Sequence, residues 1–78
     1  MNQQFVWSSP YDEYIVSFSE MLTEEEARVI METCGVTLAN FMKKLSMAVA
    51  YVPRKTSAEV LNKLANHQKT KTIHSNKS

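Results

Sequence analysis

The sequence predicts an all-α fold: a compact four-helix domain with helices over about 10–21, 23–34, 37–52 and 57–66, an N-terminal arm over 1–9 and a disordered basic tail over 67–78. Three observations predict it. Thr23 and Glu26 have the spacing of a capping box at the head of an amphipathic stretch. The chain's only glycine, Gly35, falls where that stretch should end. Beyond it, Leu38, Phe41, Met42, Leu45, Ala48, Val49 and Val52 recur at spacings of three and four, which is one continuous stripe along a helix.

The first expected helix opens at Ser9-Pro10, a serine before a proline at the first helical position, with Asp12 and Glu13 in the first turn. Tyr11, Tyr14, Ile15, Phe18 and Met21 or Leu22 follow at helical spacing, so this segment is expected to bury its aromatics against the central pair. In the arm before it, Trp7 is either tucked into the domain or offered to a partner.

In the second helix Ala27, Ile30, Met31 and Cys34 share a face, and Glu24 can pair with Arg28 one turn on. The third carries Asn40, Lys43, Lys44 and Ser46 opposite its stripe and then becomes apolar all round at Met47, Ala50 and Tyr51. Such a surface calls for cover, by a neighbouring segment, a second protomer or a partner. Pro53 stops that helix. Thr56 and Glu59 repeat the capping-box spacing ahead of Val60, Leu61, Leu64 and Ala65. From His67 onward the chain is polar and basic, with Ile73 its one apolar residue.

Seventy-eight residues are expected to form one domain. A chain so short buries only about 60% of its unfolded surface, and dimerisation would remedy that. Cys34 is the single cysteine, so no disulfide is available. The first fourteen residues hold no basic residue and no long apolar run, so neither a secretory signal nor a membrane span is expected and the cytoplasm is the expected compartment. Charge is segregated. Residues 1–35 carry seven acids against Arg28, a net of −6, and residues 36–78 carry eight bases against Glu59, a net of +7. Such asymmetry fits an electrostatic partner for the basic half, or two halves that fold together and partly cancel.

Catalytic signals are lacking. One glycine makes no phosphate-binding loop, Asp12 is the only aspartate, and no nucleophile has an evident base. The Glu24-Glu25-Glu26 run matches the dipole of a helix start. Cys34, His67 and His74 are too few for a structural zinc site. The expectation is therefore a non-enzymatic protein with no cofactor, no metal and no small-molecule substrate.

Residues 30–41, Ile30-Met31-Glu32-Thr33-Cys34-Gly35-Val36-Thr37-Leu38-Ala39-Asn40-Phe41, resemble the helix-turn-helix of phage-type repressors, with Gly35 as the turn residue. Residues 55–65 look like the helix that follows in such domains, and the likeness covers about half the chain. The chain departs from that pattern at Met31, at Lys44 and in the length of the second helix.

The resemblance implies a DNA-binding transcriptional regulator. Its second helix would lie in the major groove, with Thr37 and Asn40 facing bases or phosphates and Lys43, Lys44, Arg54 and Lys55 on the backbone. A second expectation is a protein-binding inhibitor or adaptor, phage- or plasmid-encoded, that docks on a larger enzyme or complex. It rests on Trp7, Met47, Ala50 and Tyr51 as the partner or dimer interface. The expected partner is thus duplex DNA or an acidic protein surface, with a homodimer as a further option.

Overall fold

A computed structural model describes residues 10–76 of the chain, and it is built on a sheet. The elements run β1 (Tyr11–Phe18), α1 (Glu24–Thr33), β2 (Thr37–Met42), β3 (Met47–Pro53), α2 (Ser57–Ala65) and β4 (Thr70–Ser75), with single 3-10 turns at Lys43–Leu45 and Arg54–Thr56. The four strands form one sheet in the order β2-β3-β1-β4. Every neighbouring pair is antiparallel. Each helix therefore connects two strands that have a third between them, which is the split βαβ, or ferredoxin-like, arrangement.

This overturns the all-α expectation at three places. The segment expected as the first helix is β1, because Tyr14, Val16 and Phe18 alternate inward while Tyr11, Glu13, Ile15 and Ser17 alternate outward. The segment expected as one long helix over 37–52 is the β2–β3 hairpin, turned at Ser46 in the left-handed conformation with φ of 50°. The expected disordered tail contributes β4 at the sheet edge. The arm over 1–9, including Trp7, lies outside the described residues.

The second helix is where the sequence places it. Thr23 caps α1 with both capping-box bonds: Glu26 N donates to Thr23 Oγ1 at 3.1 Å and Thr23 N donates to Glu26 Oε1 at 2.9 Å. Arg28 pairs with Glu24 at 2.9 Å. At the other end Gly35 takes φ of 90°. Gly35 N donates to the Glu32 carbonyl at 3.0 Å and Val36 N to the Met31 carbonyl at 2.8 Å, which is a Schellman closure. The fourth expected helix is present as α2, but Thr56 makes no side-chain cap, so the second capping box does not form.

Both helices pack on one face of the sheet. The core joins Val16, Phe18, Ala48, Ala50 and Val52 from the strands to Ala27, Ile30 and Met31 of α1 and to Val60 and Leu64 of α2. Ala48 and Ala50 are fully buried, and their small side chains let the helices sit close to β3. The row Phe41–Ala48–Val16–Ile73 crosses all four strands on this inner side.

Candidate functional site

Among the described residues the other face of the sheet carries no helix, and the strand registers define what it displays. Residues directly opposite one another on neighbouring strands share a face. One row runs Asn40–Val49–Ile15–His74, and a second runs Met42–Met47–Ser17–Thr72. A third joins Thr37, Tyr51 and Glu13, and Tyr11 lies opposite Pro53. The centre of the surface is therefore Ile15, Val49, Met47, Met42 and the two tyrosines, all half-buried or exposed. Tyr11 and Tyr51 are 44% and 42% exposed, and their rings lie with centroids 6.3 Å apart. Two ionisable groups other than the tyrosines share these rows. Glu13 accepts a short hydrogen bond from Asn76 Nδ2, and His74 stands at the β4 edge.

The expected site residues fall into four groups on this frame. Thr37 and Asn40 lie on the open face, opposite Tyr51 and Val49. Met47 and Tyr51 are on that same face, so these four residues share one surface. Ala50 is not on it. It points to the helices with no exposed surface, because β3 alternates and a helix does not. The basic residues divide: Lys43 and Lys44 stand in the hairpin turn before β3, whereas Arg54 and Lys55 follow its far end. Seven strand residues put these pairs about 20 Å apart. No helix presents Thr37, Asn40, Lys43 and Lys44 to a groove, since residues 37–42 are strand.

Arg54 is occupied within the chain, donating from Nε at 3.2 Å and from Nη2 at 2.9 Å to Asp12 Oδ1. Lys69 approaches Glu20 at 3.9 Å. These two pairs join the acidic and basic halves of the sequence. Lys43, Lys44 and Lys55 are exposed and make no ion pair among the described residues.

The hairpin turn is held in place by Ser46, which is 3% exposed. Its hydroxyl donates to the Glu20 carbonyl at 2.5 Å and accepts from Leu22 N at 3.2 Å. Its carbonyl accepts from Phe18 N at 3.0 Å. One buried side chain thus ties the β2–β3 turn to the loop between β1 and α1, and so fixes the end of the open face.

The sequence pattern missed Ile15, Val49, Met42, Glu13 and His74 as members of this surface. For Glu13, Ile15 and Val49 the signal that could have found them is the period-two alternation within 11–18 and 47–52, whereas Met42 and His74 needed the register of β2 and β4.

Elsewhere the chemistry is sparse. Cys34 is buried, and burial pushes its thiol above the ordinary value, partly opposed by Lys63. A notch of about 290 Å³ on the helix side is lined by Glu25, Glu26, Val29, Ile30 and Lys69. Among the described residues no group of three or more His, Cys, Asp or Glu side chains is placed to hold a metal ion. No described helix is long and apolar enough to cross a membrane. Compared with family models, with curated proteins and with solved structures, the chain matches none of them.

Proposed function

We propose that this chain is a non-enzymatic protein-binding module, an inhibitor or adaptor, that docks the open face of its sheet on a larger protein. A single observation carries the reading: two exposed tyrosines, two methionines, an isoleucine and a valine are laid side by side on the face that no described helix covers. A sheet with an apolar face gains by covering it with a second layer. Tyrosine and methionine supply large contact area and adapt to a partner's shape, and a binding centre is poor in charge, as this one is.

The reading as a groove-binding regulator rested on a helix over 37–52, and those residues form strands. Lys43 and Lys44 also lie at the opposite end of β3 from Arg54 and Lys55 instead of in one row with them.

Photocrosslinking tests the proposal. A benzophenone side chain is placed at Val49 in the face and, in a separate variant, at Val29 on the exposed side of α1, in cells of the source organism. The proposal expects a protein adduct of discrete mass from position 49, none from position 29, and loss of that adduct when Ile15→Lys is added. Nucleic-acid adducts from position 49, or equal adducts from both positions, contradict it.

A further inference from the structure

The sheet has two edges, and they are unequally guarded. Among the described residues β2 pairs only with β3, and β4 only with β1. Natural edge strands avoid pairing with other chains by carrying charges, prolines or bulges. The β4 edge, Thr70–Ser75, carries Lys71 and His74. The β2 edge, Thr37–Met42, reads Thr-Leu-Ala-Asn-Phe-Met, with neither charge nor proline, and has only the bulge at Ala39. Leu38 and Phe41 point to the core from this edge yet remain half-buried, so the helices leave them incompletely covered.

Charge is placed at both ends of that strand with opposite sign. Lys43 and Lys44, exposed and unpaired among the described residues, follow its C-terminal end. Glu32, exposed in the last turn of α1, stands just before its N-terminal end. An acid there faces the negative end of the helix dipole, and α1 has no basic residue in its last turn to offset it. Among the described residues no basic side chain pairs with Glu32, so it and the helix C-terminus leave a negative end open to a cation from elsewhere.

We infer that a second copy of this chain docks edge to edge on β2, giving a two-fold dimer with one continuous eight-stranded sheet. Antiparallel pairing of β2 with its copy brings the C-terminal end of each strand to the N-terminal end of the other. Lys43 and Lys44 of one protomer then meet Glu32 and the α1 C-terminus of its partner, and the two-fold axis repeats the contact. The bulge shortens the hydrogen-bonded ladder, so the end charges set the orientation, while Leu38 and Phe41 gain the cover they lack. The open face stays free on both protomers. The inference is independent of the docking role proposed for that face.

Sedimentation equilibrium of the full chain and three charge variants tests it. The wild-type chain is expected to be a dimer that loosens with salt. Lys43→Glu with Lys44→Glu, and separately Glu32→Lys, are each expected to weaken self-association about tenfold or more, because every changed contact occurs twice. Mixing the two monomeric variants is expected to restore a dimer of one of each, since the opposed charges are again complementary; circular dichroism confirms that each variant folds. A wild-type chain that stays monomeric at all concentrations overturns the inference. So does a dimer that ignores the charge reversals but is lost in Tyr51→Lys, which would place the contact on the open face.

Discussion

Tyr11 and Tyr51 are diagonal neighbours on the two central strands, ring centroids 6.3 Å apart and tilted by 31°, on the face that no described helix covers. An aromatic pair so placed is a natural anchor for a partner. Truncating Tyr51 to alanine is expected to weaken partner binding by about 2 kcal/mol, roughly thirtyfold, as buried aromatic anchors do. The same change at a half-exposed position is expected to move the unfolding free energy by less than about 1 kcal/mol. A binding titration and a urea denaturation on the same variant separate the two effects.

The Ser46 hydroxyl is the buried pin of the hairpin turn. Ser46→Ala leaves the Leu22 N–H and the Glu20 carbonyl without that partner and is expected to cost about 1–3 kcal/mol in chemical denaturation. Ser46→Gly loses the same bonds but relieves a side chain held at φ of 50°, so it is expected to cost less than the alanine variant. A larger loss for glycine would contradict this account of the turn.

Gly35 is the other left-handed position. A Cβ added there would meet Val60 Cγ2 at 3.4 Å, which is ordinary contact. The cost of Gly35→Ala therefore comes from the backbone and is expected to be about 1–2 kcal/mol. Thermal unfolding of Gly35→Ala beside Gly35→Asn checks it, because asparagine tolerates the left-handed region better and is expected to lose less.

Glu26 carries a pH dependence. Its carboxylate is held below the ordinary value first by the Thr23 backbone N–H, then by the Thr23 hydroxyl. A carboxyl depressed in the folded state contributes stability that is present above its unfolded value and lost as pH falls through its folded value. The wild-type melting temperature is therefore expected to fall more steeply than that of Glu26→Gln as pH drops through the acidic carboxylate range. Parallel slopes would show that the capping box contributes nothing that titrates.

The parts legible in the sequence were those with a chemical signature at fixed spacing. Thr23 with Glu26 marked the start of α1, and Gly35 marked its end. The hairpin was illegible because Leu38, Phe41, Ala48 and Val52 satisfy helical spacing while pointing inward from two strands. A short apolar run has no period of its own, and only its β-branched and aromatic content distinguishes a strand. In β3, Val49, Tyr51 and Val52 supplied that content, and the alternation of alanines with larger residues supplied the rest. For the site, the sequence named Thr37 and Asn40 for DNA contact and Met47 and Tyr51 for a partner or dimer interface, and only strand register puts the four on one face. Ala50 was assigned to the surface because a helical period continues round the axis, whereas β3 turns it inward.

Solvent paramagnetic relaxation of methyl groups, recorded on the free chain and on its complex with the captured partner, tests most directly whether the open face is the binding surface. The methyls of Ile15, Met42, Met47 and Val49 are expected to lose contact with the soluble agent on binding, while those of Val29 on α1 keep it. Protection of Val29 with the four face residues unchanged would contradict the account.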